Sequence, residues 1–383
     1  MGNFAVLSQP SERALTACLK VKRLHVNIWA LRGLWIGRRL LYFDVGVELE
    51  LAHCEELPGL KVHAVELLLP FRVEEGKWPN GAPVAQDLYT KVIDDHSGAL
   101  IFGSPITVET ANGKSTVGFE GNSLHAVRVV EASVKAVEDY AGTSGSSLYT
   151  VPFQRPLEQG ESIYFRTRWR VFGAAPLWRW TRQESGAHVD FRICDTRQGP
   201  ASQRDQGFLD RILTIAGANV FVMAPGRFGP TNVSPEPKHI RALEPGAWTD
   251  YLSGAASRPW MASDLLVYAW ARNSTDGGHP ITENHPFRIF LAVNRPAARP
   301  GWLSVGYAAI GFALAWTVVS VSSSLSKVIV VNSVDLSAYL GIIGVTSLLA
   351  AWSLIQKLRP YLADRLRKPR LWIRRMERSL LAR

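Results

Sequence analysis

The side chains best suited to chemistry are arginines, a histidine and carboxylates carried on two alternating stretches. Arg166, Arg168 and Arg170 occupy every second position of Ile163 to Val171. His188, Asp190 and Arg192 do the same in His188 to Cys194, with Arg197 just beyond. Alternate residues of a strand share a face, so each triplet is expected on one face of one strand. Like charges about 7 Å apart along a strand repel, and something must compensate them. Two answers are open. One is cross-strand pairing with Asp190 and Asp195. The other is an anionic small ligand, such as a nucleotide or phosphate, held by planar guanidinium forks. On the second answer Arg166, Arg168, Arg170, His188, Asp190, Arg192 and Arg197 bind the ligand, and Arg168→Glu abolishes binding without unfolding the protein.

Enzymatic signatures are missing. The chain has no G-x-x-x-x-G-K-[ST], no G-x-G-x-x-G after a strand, no H-E-x-x-H and no G-x-S-x-G. Residues Gly142 to Gly145 come nearest to a nucleophile elbow, but with the wrong spacing and in a Gly/Ser-rich loop. The nine histidines include no pair at ligand spacing. His53, Cys54, Glu55 and Glu56 are adjacent, so in a strand they point to opposite faces. Asp94, Asp95 and His96 read as a solvated helix end or turn. The aromatic stretches Trp178 to Trp180 and Trp248 to Trp260 read as core. No catalytic residue, metal or cofactor is expected.

The elements that position these groups are mostly strands. Leu41 to Leu51 alternates Leu, Phe and Val with Tyr42, Asp44, Gly46, Glu48 and Glu50. Leu60 to Val73, Asn219 to Met223, Leu265 to Trp270 and Phe287 to Val293 are further strands. Helical pattern is short and sparse, at Val84 to Ile93, Phe208 to Ile215 and Trp248 to Leu252. The fold class is mainly β, with two tandem antiparallel sandwich-like domains and short helical insertions. Tyr42 to Glu48 echoes Tyr164 to Arg170, with Asp44 and Glu48 in the places of Arg166 and Arg170. The loop Ala141 to Ser147 lies between the two stretches. The expected division is a basic N-terminal segment 1–23, a first domain 24–140 and a second domain 148–295.

Beyond the domains are two charge-free runs of 20 residues, Trp302 to Val321 and Leu336 to Ile355. At about 1.5 Å per residue each spans roughly 30 Å, the thickness of the hydrocarbon core. The expectation is a two-helix transmembrane hairpin. Ala309 and Ala313, and Ser337 and Gly341 with Gly344 nearby, are the small residues that let such helices pack closely. The last 28 residues carry ten Lys/Arg against two carboxylates. Lys357, Arg359, Arg365, Arg367, Lys368, Arg370, Arg374 and Arg375 are placed to meet anionic lipid headgroups, on an amphipathic tail interrupted by Pro369. The connection Ser322 to Asp335 holds only Lys327 and Asp335. The positive-inside rule then puts both termini in the cytoplasm, in the inner membrane.

The net charge of +10 does not call for nucleic acid. Residues 356–383 account for +8 and residues 1–40 for +6, leaving −4 for the rest. Cys18, Cys54 and Cys194 are widely spaced, which indicates no disulfide framework and suits a reducing compartment. The functional expectation is a membrane-tethered binding or sensing module whose partners are the bilayer and an anionic ligand or partner protein. It would oligomerise and perturb the membrane if the hairpin is an active part. The competing expectations are a membrane-surface enzyme with an unrecognised site and a passive scaffold of a membrane complex.

Overall fold

The structure, a computed structural model, describes residues 2–32, 39–55, 57–71, 85–111, 114–119, 122–137, 146–171, 177–180, 186–198, 205–226, 228–252, 265–274 and 278–294. The two 20-residue apolar runs, their small packing residues and the basic tail lie outside these. Among the described residues no helix is long and apolar enough to cross a membrane.

In chain order the strands are β1 (Gly2–Ser8), β2 (Leu19–Arg32), β3 (Arg39–Leu51), β4 (Lys61–Leu69), β5 (Ala85–Asp87), β6 (Ile106–Ala111), β7 (Lys114–Phe119), β8 (Asn122–Val129) and β9 (Lys135–Ala136). They continue with β10 (Ser147–Glu158), β11 (Ser162–Val171), β12 (Trp178–Trp180), β13 (Gly186–Ile193), β14 (Gly217–Pro225), β15 (Gly229–Ser234), β16 (His239–Ala242), β17 (Leu265–Asn273) and β18 (Phe287–Asn294). The helices are α1 (Tyr89–Val92), α2 (Asp95–Phe102), α3 (Gln206–Leu209) and α4 (Pro245–Leu252).

The strands form two sheets. The first runs β15-β18-β13-β1-β4-β10-β9, with β12 added on β13. The second runs β16-β17-β14-β2-β3-β11-β8-β7-β6, with β5 also on β11. The protein is mainly β, as its alternating pattern implies, but it is not two tandem sandwiches. Each sheet draws strands from both halves of the chain. Strand β1 pairs in parallel with β13, β14 in parallel with β2, and β3 antiparallel with β11. A separate first sandwich would leave the hydrogen-bonding edges of β1, β2 and β3 open, and the second half covers them. Residues 1–296 accordingly fall into one compact unit, with strands from both halves. The N-terminal segment contributes β1, a central strand.

Period-two patterning decides which face of each strand enters the core between the sheets. Phe43, Val45, Val47 and Leu49 of β3 and Ile163, Phe165 and Trp169 of β11 are fully buried there. Phe4, Phe43, Phe71 and Phe191 form an aromatic knot, with ring centroids 5.2–6.3 Å apart. Each such ring contributes roughly 1.5–3 kcal/mol through burial. The opposite face of the second sheet is covered too. Val92 of α1, Ile101 of α2 and Trp248, Tyr251 and Leu252 of α4 pack with Trp29, Tyr42 and Tyr164 in a second apolar cluster.

The helices differ from the sequence pattern in detail. Val84 to Ile93 splits into β5 and the single turn α1. The acidic triplet starts a helix that the pattern does not show: Asp94 caps α2 by accepting from Ser97 N–H at 2.8 Å. That helix ends at Gly103, whose φ of 70° is costly for other residues.

Two of the three cysteines are bonded, contrary to expectation. Cys18 precedes β2 and Cys54 follows β3, and β2 pairs with β3 up to Leu19 and Leu51. The hairpin therefore brings residues 36 apart in sequence to a Cα separation of 6.0 Å, suited to a disulfide. Cys194 is free and buried.

Candidate functional site

The predicted arginines fall into two places. The first is the outer face of β2, β3 and β11. The register sets Arg23, Glu48 and Tyr164 in one row, His25, Gly46 and Arg166 in the next, then Asn27, Asp44 and Arg168, and finally Trp29, Tyr42 and Arg170. The polar side of the expected half-exposed strands is thus assembled into a buried network beneath α4. Asp44 and Glu48 are fully buried, and Arg166 and Arg168 are within 2% of it.

Asp44 is the hub. Arg168 grips it with both arms of its fork, Nε to Oδ1 at 2.7 Å and Nη2 to Oδ2 at 3.0 Å. Tyr251 O–H and Trp29 Nε1–H also donate to Oδ2, at 2.7 and 2.8 Å. Arg168 Nη1 reaches the Tyr251 carbonyl at 3.3 Å, and its guanidinium lies 4.7 Å from the Tyr251 ring centroid. Arg166 meets neutral acceptors: Tyr251 Oη at 2.9 Å from Nε and Tyr164 Oη at 3.1 Å from Nη1. The Asn27 amide, turned so that its nitrogen donates to Val26 O, accepts from Arg166 Nη2 at 3.0 Å. Gly46 makes room for this row. A Cβ there would overlap the Tyr164 hydroxyl and lie 2.8 Å from Arg166 Nη1.

The compensation of Arg166 and Arg168 therefore comes from Asp44 and Tyr251, not from Asp190 or Asp195. The two echoing stretches are direct antiparallel neighbours, and their opposite charges meet across one ladder, Asp44 facing Arg168. Arg170, at the end of the row, is only partly buried.

Burial alone would raise the Asp44 pKa, yet Arg168, with help from Arg166 and Tyr251, holds it below the usual carboxylate value of 3.8. Burial, with Arg166 and Arg23 nearby, pushes His25 well below 6.5. Its Nδ1 lies 3.2 Å from Tyr164 Oη. Both groups bind protons more readily in the unfolded chain, so both favour folding at high pH. Stability is expected to fall as pH drops below 6.5, where unfolded His25 takes up its proton, and again below 3.8, where unfolded Asp44 does. Urea midpoints measured from pH 8 to 3 would show both declines, and His25→Asn would flatten the first.

The second place is the outer face of β13 and β18. Asp195 follows β13 after Cys194, which takes a left-handed conformation with φ 58°. Cys194 N–H bonds to Phe4 O at 2.8 Å and Asp195 N–H to Asn3 Oδ1 at 2.9 Å. This turn sinks the Asp195 carboxylate completely, and three arginines converge on it. Arg288 Nε donates to Oδ2 at 2.6 Å, Arg192 Nη1 to Oδ2 at 3.2 Å and Arg197 Nε to Oδ1 at 3.1 Å. Arg192 also holds Asp190 with two parallel bonds of 2.9 and 3.0 Å. His188 lies on the same face, exposed, with its ring edge-on to Phe290 at 6.1 Å.

Of the seven expected ligand residues, Asp190, Arg192 and Arg197 meet around Asp195, with His188 further along the face. Arg166 and Arg168 are enclosed elsewhere. Arg288 and Asn3 complete the cluster and carry no sequence signal. Only the register, which sets Arg288 beside Arg192 and Arg192 beside Asn3, brings them in. Cys54 is bonded and the His53 ring packs over Gly160. Among the described residues no group of three or more His, Cys, Asp or Glu is placed to hold a metal.

No family model matches the chain, and no curated protein matches it. Among solved structures the chain is similar to the M1 zinc metallopeptidase of Deinococcus radiodurans, at 13% identity and a TM-score of 0.30. A mutant of that enzyme gives 12% and 0.30. The likeness covers 72% of this chain and 42% of the metallopeptidase, so this chain spans less than half of that protein. A TM-score this low places the chain in no family.

Proposed function

We propose that the protein is a membrane-tethered binding module. Its β-body recognises an anionic ligand or partner, and a two-helix hairpin holds it at the inner membrane with both termini in the cytoplasm. The observation that carries this reading is the unequal treatment of the two outer sheet faces. On the second sheet Asp44, Arg166 and Arg168 are buried beneath α4 and held by one another, by Tyr251 and by Tyr164. The charged face around Asp195 keeps Arg197 and Arg288 exposed, at 61% and 46% of their side-chain surface. Two uncharged 20-residue runs and a tail of net charge +8, following a body that is compact by itself, support the tether.

Alkaline carbonate extraction tests it. The full chain is expected to stay in the membrane pellet, and release into the supernatant would overturn the tether. An oligomerising, membrane-perturbing version makes a further demand, dye leakage from liposomes that depends on the ligand. A passive scaffold is favoured instead by the internal pairing of Asp44 with Arg168, and predicts membrane retention with no leakage under any ligand.

A further inference from the structure

We propose that Arg197 and Arg288 form a clamp for a phosphate monoester whose alcohol side is a flat ring. The proposal takes up the binding reading above and names the ligand of that face.

The two guanidinium groups are anchored by the same device. Each gives its Nε to one oxygen of a single buried carboxylate, Arg197 to Asp195 Oδ1 and Arg288 to Asp195 Oδ2. Neither makes another hydrogen bond among the described residues, so both Nη groups of each remain available. A shared anchor fixes two forks side by side before any ligand arrives, which lowers the entropy lost on binding. Arg192 differs. Its Nε and both Nη atoms are occupied by Asp190 and Asp195, so it braces the site and does not reach outward.

Charge favours an anion. Arg192, Arg197 and Arg288 stand against Asp190 and Asp195, an excess of one positive charge held partly out of water. A phosphate monoester has three terminal oxygens and carries nearly two negative charges, so it can accept from two forks at once and answers them with more charge than a carboxylate does. The ring follows from the neighbours. Phe290 is two residues from Arg288 on the same face of β18, about 7 Å along the strand. It is only partly buried, and the exposed His188 ring stands against it. A ring on the ester oxygen would reach this pair while the phosphate sits between the arginines.

The test is calorimetric titration of the full chain in detergent with inorganic phosphate, phenyl phosphate and benzoate. Phenyl phosphate is expected to bind about tenfold more tightly than inorganic phosphate, and benzoate more weakly than either. Arg197→Gln and Arg288→Gln are each expected to weaken phenyl phosphate about tenfold, and the double variant to abolish it while still unfolding cooperatively, at a lower thermal midpoint because buried Asp195 loses two of its three arginine partners. Phe290→Ala should bring phenyl phosphate down to the level of inorganic phosphate. Undiminished binding in the folded double variant, or no phosphate binding by the native chain, overturns the clamp. Either failure leaves the carbonate extraction result untouched, so clamp and tether fail separately.

Discussion

Asp44→Ala is expected to remove about 3–5 kcal/mol of folding free energy, the usual cost of breaking a buried ion pair from one side. The magnitude follows from what the carboxylate leaves behind. Four donor groups converge on it: both arms of the Arg168 fork, the Tyr251 hydroxyl and the Trp29 indole. With the carboxylate gone they have no acceptor, and a second cation, Arg166, sits one row away with neutral partners. Urea unfolding of the native and variant chains measures the loss. The double replacement Asp44→Leu with Arg168→Met sharpens the interpretation, because removing both charges lifts the desolvation cost as well. It is expected to recover most of the lost stability. A loss of less than about 1 kcal/mol would mean that the network is solvated and that the face is not closed.

Gly46→Ala is the second large effect, expected at about 1–3 kcal/mol from overpacking and more for Gly46→Val. The added carbon would overlap the Tyr164 hydroxyl, lie 2.7 Å from Tyr164 Cζ and 2.8 Å from Arg166 Nη1. Both neighbours belong to the network, Arg166 held by Tyr251 of α4 and Tyr164 packed against Phe102 of α2, so neither can swing aside cheaply. Gly118→Ala in β7 is a fair control, since its close neighbour is mainly the Thr107 hydroxyl, at 2.9 Å. The same unfolding measurement should show Gly46→Ala as the costlier of the two, and equal losses would count against a special role for position 46.

What could be read from the chain was decided by where the information is local. Alternation in Leu41 to Leu51 and Ile163 to Val171 marks strands, and both are present as β3 and β11. The same alternation does not say what covers the polar side. Asp44, Glu48, Arg166 and Arg168 look like a solvated face because charge usually is. The cover comes from Tyr251, some 80 residues beyond Arg168, on a helix whose pattern at Trp248 to Leu252 is legible but does not say which face it covers. The echo between Tyr42 to Glu48 and Tyr164 to Arg170 pointed to two domains because similarity is silent about pairing. Antiparallel register converts it into contact, aligning Asp44 with Arg168 instead of with Arg166. Around Asp195 the triplet His188, Asp190 and Arg192 was visible, while Arg288 was an ordinary polar position in a strand until β18 was laid beside β13.

The Cys18–Cys54 bond joins the open ends of the β2–β3 hairpin, which carries Asp44, Gly46 and Trp29. Its consequence concerns sidedness. Such bonds persist in oxidising compartments, whereas the proposed tether would put the basic tail and the body on the cytoplasmic side. The two signals make opposite demands on one polypeptide whose proposed hairpin would return both ends to the same side. The cysteine pair is therefore a built-in compass: thiols that react with a maleimide before reduction mark a body facing the cytoplasm, and a pair that reacts only after reduction marks a body facing out.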